Sequence, residues 1–229
     1  MTDAVWHEYT DPEAMASASA TAVGDIISAA LARKGSAVVA VPGGGTPRPV
    51  MERLKDKPLA WEKVTIFPGD DRLVARDDRL SNFAMVDKIL GSTGATLVSL
   101  IGDDLDPVAA AADAEIRLAA LEWPPDLIWL GIGEDGHTAS ILPGPDCQAA
   151  LRTKERVMTV TPDPLPPEAP VKRVTLTGSA IRSAGTIMLT ITGQTKRQIL
   201  EHALAEGERS AYPVGPALAS TKPIIHWSP

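Results

Sequence analysis

At 229 residues, 44% hydrophobic and 22% charged, the chain has a globular composition and lacks the polar, charge-heavy profile of a disordered segment. A formal net charge of -7 speaks against a surface that neutralises a nucleic-acid backbone, because such a surface needs clustered Lys and Arg. The single cysteine, Cys147, excludes an intramolecular disulfide and a cysteine-based metal cluster.

Residues 12–34 are Ala-rich, place Ile26, Ile27 and Leu31 at near-helical spacing and end at Gly35, which predicts a first helix. A short apolar run, residues 37–41, then feeds into Pro42-Gly43-Gly44-Gly45-Thr46-Pro47 and a helix through Leu54. The alternation continues with strands at 64–67, 97–101 and 127–132 and helices at 82–90 and 107–121. This order predicts a parallel sheet covered by helices on both faces.

Beyond a Pro-rich stretch, residues 161–170, the strands at 171–176, 186–191 and 224–227 and a helix at 195–205 extend the same pattern. The stretch therefore reads as a loop, and residues 1–229 as a single domain. Residues 1–10 show neither a positively charged start nor an apolar run, and no stretch is read as reaching the ~20 apolar residues of a bilayer span. The expectation is a cytoplasmic protein, by default a monomer, with no nucleic-acid or membrane partner.

In an open parallel sheet, ligands collect at the carboxyl ends of the strands, and four segments at such ends carry chemistry. In Gly43-Gly44-Gly45-Thr46-Pro47, backbone N–H groups and a helix N-terminus could cradle a phosphate. The same residues also suit a tight turn with Thr46 as N-cap and Pro47 at the first helical position. The Lys-Ser/Thr pair of a nucleoside-triphosphate loop is missing. Asp70-Asp71-Arg72, with Ser81-Asn82 ten residues on, could position a polar substrate or form an ion pair that caps the next helix.

The third segment, Gly131-Ile132-Gly133-Glu134-Asp135-Gly136-His137-Thr138-Ala139-Ser140, satisfies a dinucleotide spacing but puts acids where a pyrophosphate would lie. Its histidine is the better lead, since imidazole exchanges protons near neutrality, and Asp135 is available to orient the ring. Arg173 and Lys196 could together form the cationic half of a monophosphate site, a fork and a point charge.

Taken together, these segments resemble the 6-phosphogluconolactonase family, within the glucosamine/galactosamine-6-phosphate isomerase superfamily, in order and over most of the chain. Leu130 to Ser140 reproduces the family's most distinctive motif almost letter for letter, while Asp71 stands for the usual Glu and Ala75 for a common Pro. The resemblance implies a Rossmann-like three-layer α/β sandwich with a mostly parallel central sheet, of the deaminase/lactonase type. It implies hydrolysis of 6-phosphoglucono-δ-lactone with no metal and no cofactor. His137 would be the base oriented by Asp135, and Asp70 and Arg72 would line the substrate pocket. Gly43, Gly44, Gly45, Thr46, Arg173 and Lys196 would hold the phosphate. The oxyanion donor stays open between Arg72 and backbone N–H groups around Gly136. Two rivals remain: an amino-sugar phosphate deaminase/isomerase on the same scaffold, and a non-catalytic sugar-phosphate sensor.

Overall fold

A computed structural model describes residues 3–229; Met1 and Thr2, part of the N-terminal segment read above, lie outside the described residues. The elements, in chain order, are β1 (Val5–Glu8), α1 (Pro12–Lys34), β2 (Ala37–Val41), α2 (Pro47–Leu54), β3 (Val64–Pro68), β4 (Asp70–Arg72) and α3 (Asn82–Leu90). They continue as β5 (Thr96–Leu97), α4 (Pro107–Ala119), β6 (Leu127–Leu130), α5 (Cys147–Arg152), β7 (Val157–Val160) and β8 (Arg173–Leu176). The last are α6 (Gly178–Ser183), β9 (Thr186–Thr192), α7 (Gln194–Glu206), α8 (Val214–Leu218) and β10 (Ile224–Ser228).

Seven strands form a parallel sheet in the order β1-β10-β9-β6-β2-β3-β5. Alternate residues of β2 feed opposite faces: Val38 and Ala40 join one core cluster, Val39 and Val41 the other. A strand buried on both sides must be apolar throughout, which is why β2 reads as an unbroken aliphatic run. Helices α1, α2 and α3 cover one face, and α4 to α8 cover the other, giving the three layers expected.

Helix α1 starts where Asp11 accepts a hydrogen bond from the Ala14 N–H and ends at Gly35 in the left-handed conformation. Contrary to the sequence reading, this helix is long and apolar enough to cross a membrane by length and composition alone. Its buried residues, among them Ala16, Ala20, Val23 and Ile27, pack instead into the core beneath the sheet.

Three expectations need correction. The strand placed at 97–101 stops at Leu97, because Ser99 Oγ accepts from the Ile101 N–H (3.1 Å) and donates to the Ile101 carbonyl (2.8 Å), turning the chain out of the ladder. The strand placed at 171–176 does not extend the parallel sheet. It is β8, the centre of a separate three-stranded antiparallel sheet, β4-β8-β7, because apolar alternation carries no information on strand direction. Finally, Thr46 has helical backbone angles and makes no side-chain cap, while Pro47 does open α2.

Candidate active site

From β2 the chain proceeds outward to β3 and β5, whereas β6 lies on the other side of β2 and leads to β9 and β10. The order reverses between β2 and β6, and a crevice opens there beyond the carboxyl ends of the strands. The loops after β2, β3, β6 and β9 converge on it, enclosing a cavity of about 240 Å³. Residues 43–46, Asp70, Arg72, His137, Arg173 and Lys196 all line this cavity. Asp135, the remaining residue singled out from the sequence, stands behind His137.

The loop after β6 is a tight turn built around its histidine. Gly133 N–H donates to the His137 carbonyl (3.0 Å), and Gly136 N–H donates to the Gly133 carbonyl (3.1 Å). A Cβ on residue 133 would collide with the imidazole of His137, so the turn closes only around glycine. Asp135 Oδ1 accepts from the His137 N–H (3.1 Å) and lies 2.6 Å from Nδ1 of the ring. Nδ1 therefore carries the proton shared with the carboxylate, and Nε2 is left as the acceptor.

Burial pushes the Asp135 carboxyl up, but the hydrogen bond and charge of His137 outweigh it, and the group rests below its ordinary range. The loop is clamped from outside: Val214 N–H donates to the Gly136 carbonyl (3.0 Å), and a Cβ on Gly136 would strike the ring of Tyr212. Tyr212 had no sequence signal; its contact exists only in the fold. Of the oxyanion candidates, the Gly136 N–H is engaged within the turn, and Arg72 lines the cavity.

The opposite wall is the small antiparallel sheet. Its register places Arg72 across from Arg173 and Asp70 across from Thr175, so all four share one face. Arg173 is only 4% exposed, and the Nε atoms of both arginines are buried without a hydrogen-bond partner. Burial lowers the Arg173 pKa and the neighbouring Arg72 charge lowers it further, while the Asp70 carboxylate opposes both. Like charges facing each other across strands destabilise a sheet, and a buried cation without its counter-charge is costly. An anionic ligand group would supply what is missing. Thr46 at the start of α2 and Lys196 in the first turn of α7 line the same cavity.

Asp70 is held by Ser140, whose hydroxyl donates to Oδ2 at 2.5 Å, and this ties the histidine loop to the small sheet. Asp71 points the other way. It is wholly buried, accepts from the N–H groups of Asn82 (2.6 Å) and Phe83 (3.0 Å), and so satisfies the first turn of α3 together with Ser81. The helix-capping alternative thus describes Asp71, while Asp70 lines the cavity. Among the described residues no cluster of three or more His, Cys, Asp or Glu side chains is arranged around a common metal position.

Known proteins resemble this chain over nearly its whole length. The chain is 36% identical over 232 residues to the 6-phosphogluconolactonase of Rhizobium meliloti, covering 97% of this chain and 98% of the relative. It is 35% identical over 215 residues to that of Neisseria meningitidis serogroup B, with 92% of each chain covered. The crystal structure of a 6-phosphogluconolactonase from Shewanella baltica superposes with a TM-score of 0.91 at 29% identity, over 99% of this chain and 98% of that one. Residues 10–227 match the family described as glucosamine-6-phosphate isomerases/6-phosphogluconolactonase, and the chain belongs to that family.

Proposed function

We propose that this protein hydrolyses 6-phosphoglucono-δ-lactone to 6-phosphogluconate, as a monomeric, cytoplasmic, single-domain enzyme of the oxidative pentose phosphate pathway spanning residues 1–229. One observation carries the reading: the oriented His137–Asp135 pair, 2.6 Å apart, opens into the same cavity as the buried Arg173, whose Nε has no hydrogen-bond partner. The names borne by relatives at 35–36% identity over nearly the whole chain support the choice of substrate.

In the proposed reaction, His137 Nε2 removes a proton from water as the water oxygen attacks C1 of the lactone. The carbonyl becomes a tetrahedral oxyanion, which the Arg72 guanidinium stabilises. As the intermediate collapses, the C1–O5 bond breaks and His137 returns its proton to O5. Asp135 keeps the ring in the required tautomer and stabilises the imidazolium between the two transfers. Residues 43–46, Arg173 and Lys196 hold the phosphate, converting binding energy remote from the carbonyl into orientation.

The test is hydrolysis of freshly generated lactone, coupled to 6-phosphogluconate dehydrogenase with spontaneous opening subtracted. His137→Ala is expected to lower kcat by about 10²–10⁴-fold with an unchanged circular dichroism spectrum. Acceleration that persists in a folded His137→Ala protein removes His137 as the base. No acceleration by the wild type, together with ammonia release from glucosamine 6-phosphate, replaces the lactonase reading with a deaminase one. Sedimentation velocity checks the monomer.

A further inference from the structure

Asn82 joins three walls of the cavity, and the mechanism above gives it no task. It is 3% exposed, and its backbone N–H is fixed by Asp71 at 2.6 Å. Its side-chain Oδ1 accepts from Nη1 of Arg72, and its Nδ2 donates to the Asp70 carbonyl at 2.8 Å, with Asp70 Oδ1 at 3.4 Å. On its third side the amide lies so close to Gly43 that a Cβ there would overlap it.

Asp70 and Arg72 are two residues apart on one face of β4, where opposite charges of this reach ordinarily pair. Among the described residues neither takes part in an ion pair. The amide stands between them, with its oxygen toward the cation and its nitrogen toward the anion. We propose that Asn82 is a positioning residue, a neutral wedge that keeps Asp70 and Arg72 from neutralising each other and holds both turned toward the substrate. The inference rests on the lactonase reading of the cavity.

The side chain's chemistry makes the role specific. Ala fills none of the gap, so Arg72 is free to swing onto Asp70. Asp keeps the volume, but it pairs with Arg72 while repelling Asp70. Gln carries an extra methylene into the space occupied by the Gly43 backbone.

A double-mutant cycle on kcat/KM for the phosphorylated lactone tests this, using wild type, Asn82→Ala, Arg72→Ala and the double variant. Asn82→Ala is expected to cost on the order of 10²-fold, the penalty of misplacing a reacting group by about an ångström. In the Arg72→Ala background the same change should cost less than about threefold, since a residue that acts through Arg72 has nothing left to position. Equal losses in both backgrounds, or no loss at all, overturn the proposal.

If Asn82→Ala fails to fold, the isosteric Asn82→Asp takes its place. The prediction is then a comparable loss that Asp70→Asn partly rescues; activity equal to wild type overturns it. If the wild type itself gives no turnover, the lactonase reading has failed separately. The same cycle is then read from the Kd of 6-phosphogluconate by calorimetry, with the same coupled and uncoupled outcomes.

Discussion

The large sheet buries carbon, whereas the small one buries charge. In β2, β6 and β9 the wholly buried residues are aliphatic or aromatic almost without exception, Trp129 among them at 0% exposure. In β4 and β8 the buried residues include Asp70, Asp71, Arg173 and Thr175. Removing apolar surface from water stabilises a fold, at roughly 25 cal/mol per Å². Burying a charge costs free energy unless a partner is in place. The parallel sheet thus supplies stability, and on the proposed function the antiparallel one holds charged groups ready for a partner that arrives with the ligand.

The sharpest way to break this contrast is to damage each sheet and compare unfolding with binding. Trp129→Ala, which also removes a 3.0 Å hydrogen bond to Thr190, is expected to lower stability by about 3–5 kcal/mol in urea unfolding. Asp71→Ala strands two N–H groups at the start of α3 and should cost about 1–3 kcal/mol in the same measurement.

Arg173→Met should change stability by less than about 1 kcal/mol, because a costly buried cation gives way to an apolar side chain of similar length. Its Kd for 6-phosphogluconate, measured by calorimetry, should nevertheless rise at least about tenfold, the equivalent of one lost charge-assisted contact. If Arg173→Met proves as destabilising as Trp129→Ala, the proposed division of labour between the sheets is wrong.

The smallest effect lies in pH. Burial, reinforced by the charge of His7, pushes the His226 imidazole down to about 4. Burial pushes the Asp71 carboxyl up to about 6, against the pull of the Asn82 and Phe83 N–H groups and with help from Asp70. A lowered histidine binds fewer protons folded than unfolded, so its contribution to stability is present above its ordinary value near 6.5 and fades as pH falls toward 4. A raised carboxyl works in the opposite sense: its contribution is present below the ordinary 3.8 and fades as pH rises through 6.

Between about pH 4 and 6 the two slopes oppose each other, one in the parallel sheet and one in the antiparallel. Stability against urea should therefore vary little across this window in the wild type. His226→Gln should expose the Asp71 slope, with stability falling as pH rises, by at most about 1.4 kcal/mol per pH unit. A variant whose stability instead falls on acidification contradicts the assignment.

How far the sequence could be read follows the same division. Strands β2, β3, β6 and β9 announce themselves as aliphatic runs because both their faces are buried, and the loops that follow them were identified as chemical for that reason. The three-residue β4, Asp-Asp-Arg, has no apolar pattern, so a motif was visible where a strand was not. β1, Val-Trp-His-Glu, lies at the sheet's edge with its residues mostly exposed and offered no run to detect. Asn82 and Ser140 carry no role that the sequence shows, because what gives them one is the approach of Asp70 and Gly43, a contact across elements. The opposed pair Arg72 and Arg173 depends on an antiparallel register that no local pattern encodes.

The pairing of β1 has a consequence for how the molecule comes into being on a ribosome. Among the described residues its only neighbour in the sheet is β10, with Val5 beside Ile224 and Glu8 beside Trp227. β1 must therefore wait, unpaired, until more than two hundred further residues have been synthesised. β9, complete at Thr192, keeps an open edge only until Ile224 is made, since β10 is inserted between the two. The nascent chain can pair β2, β3 and β6 before β10 is made, but β10 is what closes one side of the sheet, and until then the edges of β1 and β9 are available for mistaken pairing with other chains.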